Sequence, residues 1–217
     1  MADAGDLTQH AIVVNGQATV RRIPDLAVVT LAVTVQDKQA HRARDESNRR
    51  ASAILERLRG LGLPDADVQA PSLVVHPTYD YSGRSGPKIT GYEASRPMTL
   101  RVRDNDLLGP VLDLLVDDGA TQVQGTTMEL AEPEAATQEA LTAAMRVARA
   151  RGEALAAAAG LAMGQPVRIV EGDGGPQLMP KGAMMQMAAA REAAPTEVAV
   201  GELEITATVT VWFAIGS

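Results

Sequence analysis

The segment from Leu203 to Ile215 has an apolar side chain at every second position, and the positions between them are polar from Glu204 to Thr210. Because successive side chains of a β-strand point to opposite faces of a sheet, this pattern predicts a strand with one buried face. The polar face consists mainly of glutamate and threonine. We assign the apolar face to the core of a sheet, and it comprises Leu203, Ile205, Ala207, Val209, Val211, Phe213 and Ile215.

Shorter patterns of the same kind, interleaved with helical periodicity, extend over most of the chain. Strands are predicted at 12–20, 26–36, 67–81, 88–103, 121–130 and 167–171, and helices at 38–60, 105–118 and 133–159. Asp37 is the predicted N-cap of the first helix. Pro97 interrupts its strand and indicates either a bulge or a sheet edge. The pattern predicts an α+β fold, a mostly antiparallel sheet of long strands with three helices packed on one side.

The length of 217 residues allows one large domain or two small ones. We predict an N-terminal tail at 1–10 followed by a single domain at 11–217. Within that domain, residues 172–200 are rich in Gly, Met and Ala and lack a clear period. We interpret them as a mobile excursion and expect a protease to cut there first.

Aromatic residues are only 2% of the chain, and the formal net charge is −7. Proteins that read single-stranded nucleic acid need aromatic stacking platforms and a basic surface, so nucleic-acid partners are not predicted. No run of about 18 apolar residues is present, so no transmembrane segment is predicted. Residues 1–10 include two acids and no apolar run, which is not the pattern of a signal peptide.

Five motifs in a fixed order carry a resemblance to a known family. They are Val14-Asn-Gly-Gln-Ala-Thr-Val20 with Pro24-Asp25, Leu61-Gly-Leu-Pro64 with Pro77-Thr-Tyr-Asp-Tyr81, Gly91-Tyr-Glu-Ala-Ser95, Leu100-Arg-Val-Arg-Asp104, and the third helix with the final strand. From residue 11 to 215 the chain resembles the SIMPL-domain family, which includes YggE-like oxidative-stress proteins and a periplasmic immunogenic antigen. Arg96-Pro97 departs from that family's pattern.

The resemblance implies a bacterial periplasmic or cell-envelope protein linked to stress tolerance, whose members can form ring-like homo-oligomers. A mature form without its signal peptide fits that location, and a cytoplasmic location is the alternative. The family has no agreed catalytic residues, so the resemblance transfers none. The expected partner is a second copy of the chain.

Catalytic and metal-binding patterns are weak in this sequence. Cysteine is absent, which excludes disulfides, thiolate metal sites and a cysteine nucleophile. His10, His41 and His76 are too scattered for a recognisable ligand set, and no nucleophile-elbow motif occurs. Glu171 and Asp173 supply too few oxygens for calcium. We therefore predict a non-enzymatic protein without a cofactor, and a hydrolase or oxidoreductase with an unfamiliar site is the remote alternative.

A methionine cluster supports a second hypothesis. Thioethers are soft ligands that suit Cu(I), and they also absorb oxidants reversibly as sulfoxides. A copper-binding or oxidant-scavenging protein is therefore the alternative function, and packing of flexible side chains is the plain explanation. The cluster consists of Met179, Met184, Met185 and Met187.

Three of the five aromatic residues lie around one predicted hairpin. Tyr79 and Tyr81 end its first strand, and Tyr92 lies in its second. Tyrosine is enriched where proteins bind one another, because its ring is apolar and its hydroxyl is polar. We predict that these tyrosines contact another subunit.

Overall fold

A computed structural model describes residues 10–82, 86–117, 121–172, 177–180 and 201–216. For Thr121 and residues 177–180 it describes the backbone only. The strands are β1 (Ala11–Arg22), β2 (Leu26–Asp37), β3 (Val68–Gln69), β4 (Val74–Asp80), β5 (Lys88–Val102), β6 (Thr121–Glu129), β7 (Ala162–Glu171), β8 (Gln177–Pro180) and β9 (Leu203–Gly216). The helices are α1 (Ala40–Gly60), α2 (Asn105–Asp117) and α3 (Glu134–Ala158).

These elements form two compact units that interleave along the chain. The first unit contains the described residues up to Ile23, from Glu132 to Pro180, and from Gly201 onward. The second contains residues 24–131. The first unit is therefore built from both ends of the chain.

In the first unit, β9 is the central strand of an antiparallel sheet. It pairs with β1 on one side and with β7 and β8 on the other. The alternation predicted for β9 is confirmed, because its side chains from Leu203 to Phe213 are buried at every second position. Ile215, at the end of the strand, is only half-buried. The opposite face is partly exposed and carries Glu204, Thr206, Thr208, Thr210 and Trp212.

Helix α3 packs on this sheet through a line of small residues spaced four apart. The buried residues of the helix are Ala136, Ala140, Ala144, Ala148, Gly152 and Ala156. Small side chains let the helix approach the sheet closely at Gly16 of β1. A Cβ atom added to Gly16 would lie 2.0 Å from the carbonyl oxygen of Ala144. The contact therefore requires glycine at this position.

In the second unit, the sheet order is β3-β5-β2-β6, and β4 also pairs with β5. Helices α1 and α2 cover one face of this sheet. Helix α1 presents Ala43, Ser47, Ala51, Ile54 and Leu58 to the core at helical spacing. Ser47 is fully buried, and its hydroxyl donates a hydrogen bond to the Val33 carbonyl oxygen at 3.3 Å.

Pro97 occupies a gap in the pairing of β5. The register between β2 and β5 is continuous through Pro97, so no bulge forms there. On the other side, β4 ends its pairing at Ser95 and β3 begins at Thr99. Proline lacks a backbone N–H and is tolerated where a strand has no partner. On this side of β5, Pro97 therefore lies at a short stretch of sheet edge, which is one of the two predicted alternatives.

The predicted α+β class, with antiparallel strands and three helices, is confirmed. The strands belong to two sheets instead of one, because β1 and β9 pair with each other across the length of the sequence. Two local predictions differ from the structure. Gln39 is the N-cap of α1, and Asp37 instead accepts the Gln39 N–H. The strand predicted at 67–81 is divided into β3 and β4.

The predicted domain boundaries stay predictions. Most of the excursion predicted at 172–200 lies outside the described residues. The described part of that range contains Gly172 and the short strand β8.

Candidate functional site

A two-stranded ribbon extends beyond the five-stranded sheet of the second unit. The pairing of β5 with β2 reaches only as far as Tyr92, opposite Asp37. The residues of β5 before Tyr92 pair with β4 alone. We call the described residues 78–82 and 86–91 the tyrosine arm. A strand pair without sheet neighbours leaves more of its surface exposed than the rest of the sheet.

The tyrosine arm carries three large exposed apolar side chains. Tyr79 is 44% exposed, Tyr81 75% and Ile89 50%. The ring centroids of Tyr79 and Tyr81 are 6.1 Å apart with an interplanar angle of 47°, within the range of favourable aromatic pairs. Tyr79 lies opposite Ile89 in the strand register. The arm therefore presents an apolar patch to solvent.

Local hydrogen bonds fix the shape of the arm. The hydroxyl of Thr90 donates to the Thr78 carbonyl oxygen at 3.2 Å. The Asp80 carboxylate accepts the Ser82 N–H at 2.8 Å, and this backbone hydrogen bond, aided by the Ser82 side chain, lowers the pKa of Asp80. At the base of the arm, a Cβ on Gly91 would lie 3.0 Å from the Asp37 carbonyl oxygen. The hydrogen bond between Thr90 and Thr78 therefore links the two strands that carry Tyr79 and Ile89.

Tyr92 does not join the other two tyrosines. It is half-buried within the sheet, opposite Asp37 on β2 and Pro77 on β4. The structure therefore brings together Tyr79 and Tyr81 and adds Ile89. Sequence reasoning missed Ile89, although it lies near Tyr92 on the same predicted strand.

The histidines occupy separate places. His10 precedes β1, His41 lies in the first turn of α1, and His76 lies on β4 opposite Glu93; all three are exposed. Among the described residues, no three His, Cys, Asp or Glu side chains form a group that could hold a metal ion.

The methionine cluster lies almost wholly outside the described residues. The residues outside the described ranges include Met184, Met185 and Met187, and also Asp173. The backbone of Met179 pairs with Glu204 in β8, and its side chain is not described.

An ionic cluster at the end of β2 and the start of α1 lines a shallow cavity of about 440 Å³ with Asp37, Arg42, Asp45, Glu46 and Arg49. Glu46 accepts hydrogen bonds from Arg49 at 2.6 Å and from Arg50 at 2.6 Å. These hydrogen bonds, led by that from Arg50, lower the pKa of Glu46. The Arg–Glu pairs are spaced three and four residues apart on one helix, so they support the helix itself.

A second surface, also missed by sequence reasoning, lies in the first unit. A groove of about 550 Å³ separates α3 from β7, and Leu141, Met145 and Ile169 form part of its lining. Leu141 and Met145 lie beside the line of small residues on α3 and are not part of it. Apolar residues outside that line indicate a second apolar face of the helix.

The two units together define an α+β protein of antiparallel sheets whose candidate sites are exposed surfaces. No helix among the described residues is long and apolar enough to cross a membrane. A family model named SIMPL, described as a protein of unknown function (DUF541), matches residues 12–213. The chain belongs to the SIMPL family, which confirms the resemblance found in the sequence.

Two relatives illustrate the range of similarity. The 26 kDa periplasmic immunogenic protein of Brucella melitensis biotype 1 is 33% identical over 215 residues, which cover 96% of this chain and 86% of the relative. The protein named uncharacterized protein YggE in Edwardsiella ictaluri is 28% identical over 153 residues, which cover 70% of this chain and 64% of the relative. The first name places that relative in the periplasm, and neither name states a reaction.

Proposed function

We propose that this chain is a non-catalytic protein of the bacterial cell envelope that acts as a homo-oligomer. The tyrosine arm is the observation that carries the proposal. It exposes a tilted pair of tyrosine rings and an isoleucine to solvent, on two strands that are linked by a hydrogen bond between Thr90 and Thr78. Exposed aromatic side chains on an ordered scaffold are typical of contacts between subunits.

The envelope location is supported by the Brucella relative, whose name places that protein in the periplasm. The link to stress tolerance, and closure of the oligomer into a ring, rest on the family resemblance. A contact between two different surfaces of the chain generates a ring when its rotation closes. The arm supplies one such surface.

The arm's role is tested by the molar mass of the full chain, measured by light scattering over a range of concentrations. The wild type is expected to give a multiple of the chain mass of 22.8 kDa. The variant Tyr79→Asp/Tyr81→Asp places two charges in the contact, and a buried unpaired charge is costly. This variant is expected to dissociate to the mass of a single chain.

Leu155→Asp is the matched control, because Leu155 is an apolar residue of α3 that is 52% exposed and lies outside the arm. It is expected to keep the wild-type mass. A wild type that stays monomeric at micromolar concentrations, or an arm variant with the wild-type mass, contradicts the proposal.

A further inference from the structure

The groove between α3 and β7 exposes apolar surface in the first unit. Its floor is formed by Leu141, Met145, Ile169 and Val209. Ile169 pairs with Val211, so both side chains point to the helix-covered face, yet Ile169 is 54% exposed while Val211 is fully buried. Helix α3 therefore covers the centre of the sheet and leaves its β7 margin open. The groove has a volume of about 550 Å³.

The open margin is also a free strand edge. Strand β7 pairs with β9 on one side, and among the described residues no strand pairs with its other side. Irregular pairing separates Met163 from Arg168, so 168–171 is the regular part of this edge. Unpaired backbone N–H and C=O groups in a regular row can accept an extended peptide as an additional strand.

The charges at the groove favour an acidic group in such a peptide. Arg146 is exposed on α3 and has no ion-pair partner among the described residues. Arg149 contacts Glu153 at 3.1 Å, so its charge is already partly neutralised. An incoming carboxylate would form a charge-assisted hydrogen bond with Arg146.

A fatty acid also combines an apolar body with a carboxylate, but it fits less well. It would leave the N–H and C=O groups of 168–171 unused. A peptide satisfies the edge and the apolar floor together.

We propose that β7 binds an extended segment of another protein as an added strand. An apolar side chain of that segment fills the groove over Ile169. An acidic side chain two residues away, which lies on the same face of the strand, pairs with Arg146. The inference concerns a different surface from the tyrosine arm and does not depend on the oligomer.

The test uses the full chain and a set of fluorescent peptides of about six residues, the usual length of a strand. Each peptide carries one apolar residue (valine, leucine or phenylalanine) and an aspartate two positions away, with threonine elsewhere. Fluorescence anisotropy is expected to show saturable binding for at least one peptide. Methylation of its alternate backbone nitrogens is expected to abolish binding, because the peptide then cannot donate to the edge of β7.

Two variants test the predicted contacts. Ile169→Asp places a charge in the apolar groove, and Arg146→Glu removes the charge-assisted contact, so each is expected to weaken binding by at least about tenfold. Both residues are exposed, so the fold tolerates the changes. Leu155→Asp and Arg42→Glu introduce the same charges at exposed positions outside the groove, and each is expected to leave the affinity within about twofold.

Several results overturn the proposal. They are the absence of saturable binding below about 1 mM for every peptide, unchanged affinity in Ile169→Asp or Arg146→Glu, and full binding of the methylated peptide. Loss of oligomeric mass in Ile169→Asp also overturns it, because the edge would then be occupied by a second copy of the chain.

Discussion

Gly16 is the residue whose identity the packing constrains most strongly. A Cβ at this position would meet the Ala144 carbonyl oxygen at 2.0 Å and the Ala148 nitrogen at 2.7 Å. Both atoms belong to the backbone of α3, so neither can move unless the helix moves. Gly16→Ala is therefore expected to lower the free energy of unfolding by about 2 kcal/mol or more, the cost of overpacking. Urea denaturation measures this change.

Gly60→Ala is the matched control for that experiment. Gly60 is the last residue of α1, and a Cβ there would meet nothing within 4 Å. The substitution is expected to be neutral or to raise the free energy of unfolding by up to about 1 kcal/mol, because alanine loses less entropy in a helix. Equal destabilisation by both substitutions would contradict the close packing of α3 on β1.

Glu46 makes the stability of the chain depend on pH. Its pKa is lowered by Arg50 and Arg49, so it binds protons less readily in the folded state than in the unfolded state. Its contribution is present above its unfolded pKa and is lost as the pH falls through its folded pKa. Glu46→Gln is expected to destabilise the protein slightly at neutral pH.

The difference between wild type and Glu46→Gln is expected to shrink as the medium becomes acidic. Urea denaturation at a series of pH values measures it. Because the two ion pairs of Glu46 are partly exposed, the difference is also expected to shrink at high salt. A difference that grows on acidification would contradict the pairing.

At the residue scale, the sequence pattern predicted which side chains are buried better than it predicted which atoms they contact. Period-2 alternation assigned Val209 and Val211 to the buried face of the last strand, which the structure confirms. It could not show that α3 approaches Gly16 so closely, because that distance depends on a helix more than a hundred positions away. The position of Ile169 in its strand likewise places its side chain on the face that α3 covers, but the sequence could not show that α3 does not reach it.

At the element scale, the arm is a ribbon whose two strands have only each other as partners. Its residues 88–91 pair with β4 alone, whereas residues 94–102 pair with β2, a strand inside the sheet. In the monomeric Tyr79→Asp/Tyr81→Asp variant, the backbone amides of 88–91 are expected to exchange with solvent faster than those of 94–102.

Hydrogen exchange resolved along the chain measures this gradient, and its control is β9, which is paired on both sides. Protection of 88–91 equal to that of 94–102 would mean that another element covers the arm.

The bounds of elements with strong periodicity were predicted closely, whereas those of the edge strand β7 were not. The long helices and β9 carry many repeats of one pattern, so their predicted bounds lie within two residues of those observed. Strand β7 begins five residues earlier than predicted, because Gly164 and Pro166 interrupt its apolar pattern. These interruptions coincide with its irregular pairing to β9, which alternation alone does not encode.

At the scale of the whole molecule, the assignment of strands to sheets was the part that the sequence did not reveal. Strand β1 pairs with β9 along its full length, although nearly two hundred residues separate them. Alternation reports which face of a strand is buried but not which strand lies beside it. Consequently, one sheet was predicted where two are found.

In the proposed oligomer, copies of the chain meet through the tyrosine arm, and the absence of cysteine permits a direct test of that contact. Tyr81→Cys places a single thiol on the arm, at a side chain that is 75% exposed in the isolated chain. Leu155→Cys places one on α3 as a control. The reaction rate of each thiol with a maleimide is measured as the protein concentration is raised.

We predict that the Tyr81→Cys thiol reacts quickly in dilute protein and slowly once the molar mass rises, while the control rate stays constant. A Tyr81→Cys rate that does not change as the mass increases would contradict assembly through the arm.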